Sequence, residues 1–542
     1  MKKHDYLPFF PYKSIRQSQS DAIDFVLERL VDKNKKFVVL EAGTGVGKSA
    51  IGVTVGRYIS QTPVEDEKFK DGTYFLTTQK ILQDQYEIDF GKTKGKMSSI
   101  KSSSNYQCTF HKRNTCQQSQ QILRTTDRDS KFFKACTFNC KYKNAKNKFL
   151  ESHESVTNFP YFLTEATFSG KIVPRNLLVI DEAHNIENEL SKFIEVQVSE
   201  RFCKSILGIR WPVQVHSQYQ AFKWIKEVYF TKVKSKLSYF EKALEKIGVK
   251  ERLKEFEKIS RQHDILKSHV SKVETFLQIY DNQNWVFENI PAQYKSQRKF
   301  LFKPIDVSRY AHEYLFRLGN QILMMSATIL DKDTFCRSLG VPQDDVEFLS
   351  LPTPFPASNR PIITCSVGHM NSRKIDETLP VLSHAVKEIL NEHKDQKGII
   401  HCHTFKIAKY LKSAIRDDRL LIHNSENREE VLKKHIKGKK PTVLLSPSMS
   451  EGVDLHGDLS RFQIICKIPY PYLGDKIVKK RMNKWKNWYP LQTAKLIVQA
   501  AGRSIRSVDD VAITYILDSD WDRFFRNNSH MFPSTFKEAL VK

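Results

Sequence analysis

No stretch of this 542-residue chain approaches the roughly 18 uninterrupted apolar residues that a membrane-spanning helix needs. Its first residues, MKKHDYLPFFPYK, carry basic charge but no apolar run of signal-peptide length. Acidic residues are in deficit: 61 Asp+Glu stand against 87 Lys+Arg, a formal charge of +26 with a pI near 9.5. Cysteine is scarce as well, nine in all, yet four of the nine fall between residues 108 and 140. The first two absences exclude a helical membrane spanner and set the expectation of an intracellular, cytoplasmic chain with no membrane partner. In that compartment structural disulfides are rare and clustered thiols more often hold metal. The acidic deficit points to a polyanionic partner, because each neutralised phosphate releases counterions. A solvated Lys-rich surface is the plainer alternative. The composition, rich in Lys and Asn, hints at an AT-rich genome of bacterial, phage or archaeal origin.

What is present is an alternation of short apolar runs with helical patterns, the signature of parallel sheets. KFVVLEA (36–42), TYFLTT (73–78), NLLVIDEA (176–183) and QILMMSAT (321–328) read as strands of a first domain. GIIHCHT (398–404), TVLLSP (442–447), FQIICKI (462–468) and VAITYIL (511–517) repeat the pattern in a second. Two insertions interrupt the first domain. Residues 92–160 are polar and contain the four clustered cysteines. Residues 187–310 are helical in pattern, with Val233, Leu237, Phe240, Leu244 and Ile247, then Leu266, Val270, Val273 and Leu277, at three- and four-residue steps. Gly248 marks a break between those helices. The expected division is a first domain at 1–91, 161–186 and 311–335, the insertions at 92–160 and 187–310, and a second domain at 336–542.

EAGTGVGKSA (41–50) lies between a strand and a helix, the context of a phosphate-binding loop. Gly43, Gly45 and Gly47 let backbone amides crowd a phosphate, Lys48 neutralises its charge, and Ser49 can ligate Mg²⁺. VIDEAH (179–184) ends a second strand, where Asp181 would hold Mg²⁺ through water and Glu182 would polarise the attacking water. Taken together the two motifs indicate an ATPase. Arg16 and Gln19, upstream at R-x-x-Q spacing, suit an adenine edge. In QAAGRSIRS (499–507), Arg503 and Arg506 share one helical face and could act as arginine fingers across a cleft. As isolated residues they would more often be salt-bridge partners.

The order R-x-x-Q, GTGVGKS, VIDEAH, SAT, SEGVDLHGD and QAAGRSIR resembles superfamily 2 helicases, most closely the XPD/DinG group. VTNFPYFL (156–163), and KIPYPYLGD (467–475) with Arg481 downstream, are similar to further segments of that group. The resemblance implies an α/β fold of two RecA-like parallel-sheet motor domains, with an inserted iron–sulfur domain and an inserted helical arch. It implies ATP bound between the motors by Arg16, Gln19, Gly43, Thr44, Gly45, Val46, Gly47, Lys48 and Ser49. Asp181 and Glu182 complete that side, and Gln499, Arg503 and Arg506 face it. Glu451, Gly452 and Asp454 would couple the cleft to a strand of DNA. Thr77, Thr78 and Ser446 would grip phosphates, and Tyr470, Tyr472, Trp485 and Trp488 would stack on bases or pack internally. The implied activity is a monomeric ATP-dependent helicase, 5′ to 3′ on single-stranded DNA, opening duplex or forked DNA in repair, replication or recombination.

Members of the group carry a 4Fe-4S cluster on four cysteines at this point of the chain, which assigns Cys108, Cys116, Cys136 and Cys140 as its ligands. Their spacing, C-x₇-C-x₁₉-C-x₃-C, departs from the patterns familiar in the group, and it lacks the C-x₂-C knuckle that favours zinc. Zinc remains an alternative, His111 reads as a basic surface residue, and the other cysteines read as packing residues. An RNA helicase, or an ATPase that acts as a remodelling switch or scaffold, are the rival functions.

Overall fold

In the computed structural model the described residues are 4–541, apart from 44, 64, 93–96, 124–125, 247–252, 293–296, 425–426, 448–454, 456, 506 and 508; the side chains of 121, 245–246, 253–258 and 261 are not among them. Two parallel sheets carry the chain. The first has seven strands in the order Val346–Leu351, Phe37–Ala42, Gly319–Ser326, Arg175–Asp181, Lys70–Thr77, Glu154–Asn158 and Ser98–Ser99. The second has six, in the order Ile362–Gly368, Ile513–Asp518, Phe462–Ile465, Gly398–His401, Val443–Ser446 and Leu420–Ile422. Every pairing in both is parallel. Helices cover both faces, so Phe37–Ala42 and Arg175–Asp181 are buried along their whole length. That double burial is why they read as near-continuous apolar runs rather than alternating ones.

The first sheet reaches beyond the limits drawn at 160 and 336. Glu154–Asn158 pairs with Lys70–Thr77, and Val346–Leu351 pairs with Phe37–Ala42. Both strands are short and carry polar residues, so only their partners identify them. Between Ser98–Ser99 and Glu154–Asn158 stands the cysteine segment, built on helices Cys116–Leu123, Lys131–Phe138 and Lys141–Glu151. The later insertion contains the expected helices, Phe230–Lys246 and Leu253–Ile279, packed together; Ile247 and Gly248 lie outside the described residues. It is not helical throughout. Val196–Ser199, Lys299–Pro304 and Trp285–Ile290 form a three-stranded antiparallel sheet whose aromatic face, with Phe276 5.0 Å from Trp285, supplies its core. Leu253–Ile279 also packs on Cys116–Leu123, so the two insertions meet. Among the described residues no helix is long and apolar enough to cross a membrane.

Two buried arginines secure the point at which the cysteine segment returns to the sheet, at residues 149–154. Arg175 lies 4.0 Å over the Tyr74 ring and donates to the carbonyls of Phe149 and Leu150 (3.2 Å each), at the end of helix Lys141–Glu151. Arg57 makes a two-pronged pair with Glu154, Nε to Oε1 at 2.8 Å and Nη2 to Oε2 at 3.0 Å, with both side chains buried. Removing one partner leaves a buried charge uncompensated, at a cost of about 3–5 kcal/mol, whereas an apolar pair of similar volume is near neutral. Arg57→Met should therefore lower the thermal midpoint clearly, and adding Glu154→Leu should recover most of the loss. Equal melting of Arg57→Met and wild type would show that the pair contributes nothing.

Candidate active site

The strand Phe37–Ala42 runs into a loop that ends at helix Lys48–Ile59, with Gly45 (φ 82°) and Gly47 (φ 90°) in the left-handed region. Neither tolerates a side chain. A Cβ at Gly45 would stand 2.1 Å from Phe355 Cζ, and one at Gly47 would stand 2.4 Å from Gln19 Nε2. Lys48 Nζ donates to the Ala42 carbonyl at 3.1 Å, across the mouth of the loop, with Ser49 next in the helix. Arg16 and Gln19, expected at an adenine edge, brace the loop backbone. Arg16 donates to the carbonyls of Gly45 (2.8 Å) and Val46 (3.2 Å), and Gln19 Nε2 to that of Val46 (2.9 Å). Thr44, Glu451, Gly452, Asp454 and Arg506 lie outside the described residues.

Asp181 ends its strand beside the loop. Its Oδ1 accepts from the Glu182 amide at 2.9 Å and its Oδ2 from the Tyr86 hydroxyl at 3.0 Å. Burial pushes its carboxyl up to about 6, with the Glu182 charge adding to the rise and Lys48 opposing it. Glu182 itself adopts φ 53°, a left-handed conformation uncommon outside glycine. Such strain persists at sites that surrounding structure over-determines. Tyr86 was not marked by any motif; its only signal is its place on the helix after TYFLTT.

The two sheets meet at His184. Its Nδ1 lies 2.8 Å from Ser326 Oγ and 3.3 Å from Glu182 Oε2, and its Nε2 lies 2.9 Å from Gln499 Nε2. Gln499 Nε2 also donates to Thr328 Oγ1 at 3.0 Å. Burial, followed by the charges of Lys495, Lys48 and Arg503, lowers the imidazole to about 3, so the ring is neutral. Because the Gln499 amide nitrogen can only donate, the hydrogen-bond pattern assigns the ring proton to Nδ1, facing Ser326 and Glu182. One uncharged ring thus joins VIDEAH, SAT and the helix Trp488–Ala501. Gln499 and Arg503 were expected here; the bridging roles of His184 and Thr328 were not anticipated, although both stand in recognised motifs.

A second bridge lies on the arch side. Glu187 Oε1 forms an ion pair with Arg481 Nη1 (2.8 Å) and Glu187 Oε2 accepts from Trp488 Nε1 (3.1 Å), while Arg481 Nε donates to the Ile305 carbonyl at 2.8 Å. Trp488 is therefore a packing residue, as is Tyr470, stacked 6.1 Å from Tyr489. Tyr472 differs, being 79% exposed. The Thr77 hydroxyl is buried and bonded to the Gln79 carbonyl at 3.1 Å, which removes it as a phosphate contact.

Cys108, Cys116, Cys136 and Cys140 line one small pocket together with Phe110, Phe132 and Lys141. Cys116 and Cys140 Sγ stand 3.7 Å apart, and burial plus the neighbouring thiols push Cys116 up to about 12. Among the described residues no three His, Cys, Asp or Glu side chains converge as a single ion would require. His111 is not a simple surface residue: its ring packs 4.4 Å from Phe132 with Nδ1 buried. Cys203, Cys336, Cys402 and Cys466 are buried as expected, whereas Cys365 is exposed.

Residues 386–539 match the helicase C-terminal domain family, and residues 12–209 match the type III restriction enzyme, res subunit, family. The chain is 27% identical over 235 residues to the ATP-dependent DNA helicase DinG of Photobacterium profundum, covering 40% of this chain and 34% of the relative. It is 23% identical over 230 residues to the ATP-dependent DNA helicase YoaA of Escherichia coli, covering 40% and 36%. The chain thus spans about a third of the length of the curated relatives it matches. A solved structure titled XPD helicase superposes with TM-score 0.65 at 17% identity over 96% of this chain and 99% of that one. The structure of S. tokodaii Xpd4 superposes at 0.58 and 15%, over 97% and 100%. These two show a shared fold.

Gly45→Ala tests the loop geometry. The strained φ and the Phe355 collision should weaken fluorescent-nucleotide binding by roughly tenfold or more while the sheets stay folded. Unchanged affinity would mean that this loop does not hold the nucleotide.

Proposed function

We propose that this chain is an ATP-dependent DNA helicase of the XPD/DinG type of superfamily 2. The observation that carries the reading is the cross-cleft network, in which His184, just after a strand of the first sheet, meets Gln499, on helix Trp488–Ala501 against the second, through a neutral ring. A machine that turns hydrolysis into relative motion of two domains needs the nucleotide side and the opposing domain in direct contact. This network supplies the contact beside Lys48 and Asp181.

ATP lies with its phosphates over the loop 43–49. The backbone there is held open by Arg16 and Gln19, which also stand on the adenine side. Lys48 swings from the Ala42 carbonyl onto the β/γ phosphates. Ser49 and Asp181 would hold Mg²⁺, which when bound would supply positive charge beside the transferred phosphoryl group. Glu182 orients the attacking water and accepts its proton, and its carboxylate leans on the Nδ1 proton of His184. Gln499, Arg503 and Arg506 approach from the second motor, so a γ-phosphate pulls the cleft shut and its loss lets the cleft open. Glu451, Gly452 and Asp454 pass that motion to single-stranded DNA, on which the protein steps 5′ to 3′ as a monomer, opening forked or duplex DNA of the nucleoid in the cytoplasm. The +26 charge favours the polyanion.

Cys108, Cys116, Cys136 and Cys140 would hold a 4Fe-4S cluster, which when bound cross-links a segment with little apolar core of its own. The segment then forms a rigid wedge at the duplex junction. The meeting of Leu253–Ile279 with Cys116–Leu123 supports a closed passage for one strand.

Two outcomes are expected. Lys48→Ala should lower DNA-stimulated ATP hydrolysis by about a hundredfold or more without loss of fold; near-normal turnover would refute the motor assignment. Protein purified without oxygen should be brown and carry about four irons per chain, and Cys136→Ser should lose the iron while still binding nucleotide. A colourless wild-type protein would remove the cluster from the account.

A further inference from the structure

Helix Lys80–Phe90 lies between the nucleotide site and the foot of the cysteine segment, and it is bonded at both ends of that path. On the nucleotide side, the Tyr86 hydroxyl donates to Asp181 Oδ2 at 3.0 Å. The ring is fixed by Phe75 (5.9 Å between centroids) and Phe90 (5.5 Å), and the residue is buried. One turn earlier on the same helical face, fully buried Gln83 donates to Ser99 Oγ (2.9 Å) and to the Ile100 carbonyl (2.8 Å). Its Oε1 accepts from Asn158 Nδ2 at 3.0 Å. Asp84 pairs with Lys101, and Lys80 Nζ reaches Asn105 Oδ1 at 3.1 Å. Five residues on from Lys101, the Tyr106 carbonyl accepts from the Cys116 amide at 2.7 Å, and the Tyr106 hydroxyl accepts from the Lys101 amide at 3.3 Å. An unbroken chain of short contacts therefore runs from Asp181 to one of the four clustered cysteines.

We propose that Tyr86 is a positioning residue for Asp181, and that helix Lys80–Phe90 acts as a rigid lever carrying the state of that carboxylate to the foot of the cysteine segment. The hydroxyl fixes one oxygen of Asp181 while the Glu182 amide fixes the other. The carboxylate can thus rotate onto a divalent cation only if Tyr86 follows. Tyr86 cannot move alone, because its ring is wedged between Phe75 and Phe90. Any displacement is shared by the whole helix and arrives at Ser99, Ile100 and Lys101 through Gln83 and Asp84. Coupling of this kind needs a contiguous packed element rather than a flexible loop. The inference rests on the proposed ATPase reading of the loop and of Asp181.

The test uses the full chain, with Mn²⁺ standing in for Mg²⁺ and ATPγS as a slowly hydrolysed nucleotide. Mn²⁺ binding is followed by electron paramagnetic resonance, and amide exchange is followed over residues 98–106. Tyr86→Phe keeps the ring and removes the hydroxyl, so its melting should match wild type. Its Mn²⁺ affinity should fall by roughly tenfold, as when a partner that orients a ligating carboxylate is lost. Wild type should slow exchange over residues 98–106 on adding Mn²⁺ and ATPγS, and Tyr86→Phe should not. Gln83→Met should keep the Mn²⁺ affinity and lose only the exchange response. Unchanged Mn²⁺ affinity in Tyr86→Phe would overturn the positioning role, and a persisting exchange response there would overturn the lever. Failure of wild type itself to bind Mn²⁺ with ATPγS would instead bring down the ATPase reading along with this inference.

Discussion

The structure turns on a histidine that carries no charge. His184 is buried among Lys48, Lys495 and Arg503, three cations that would repel an imidazolium, and it is held neutral by them and by its burial. Neutrality gives the ring one donor and one acceptor, and the two face opposite domains: Nδ1 towards Ser326 and Glu182, Nε2 towards Gln499. A charged ring would have two donors and could not accept from the Gln499 amide. The join between the sheets is thus specific without being an ion pair. It avoids the desolvation cost of burying two opposite charges in a cleft that must also open.

The surroundings of that join divide the work. Cations gather where a phosphate would sit, while the acidic groups Asp181 and Glu182 stay paired with backbone, tyrosine and histidine. The arch-side contacts are stronger in kind. Glu187 binds Arg481 at 2.8 Å, and Arg481 is further held by the Ile305 carbonyl and by Ser191 Oγ at 2.9 Å. Lys484 pairs with Asp306, and Lys476 donates to the Phe287 carbonyl at 3.1 Å. One edge of the second motor is therefore pinned to the arch, and the nucleotide edge is linked by neutral hydrogen bonds.

Much of this was legible in the chain itself. The apolar runs before GTGVGKS, at VIDEAH and at SAT are the central strands of the first sheet, and those at GIIH, VLLS, FQII and ITYILD are strands of the second. Buried parallel strands have no polar face to disguise them, so composition alone exposes them. Val346–Leu351 and Glu154–Asn158 were assigned elsewhere because strand pairing across some 300 and 80 residues of sequence leaves no local pattern. The sheet of the arch was hidden for the same reason beneath a strong helical signal nearby. At the site, motif residues were readable by type and spacing, but their partners were not. Nothing in RQSQ says that Arg16 and Gln19 hold carbonyls of the phosphate loop, and nothing in LQDQYEID marks Tyr86 as the companion of Asp181. Those roles exist only where distant elements fold together.

Strand displacement on forked DNA tests the central claim most directly. Wild-type protein, ATP and Mg²⁺ would be given duplexes carrying either a 5′ or a 3′ single-stranded tail, with the released strand followed by fluorescence. The account predicts ATP-dependent displacement from the 5′-tailed duplex and little from the 3′-tailed one. ATP hydrolysis stimulated by DNA with no displacement from either substrate would contradict it, and would make the chain a nucleic-acid-dependent switch rather than a helicase.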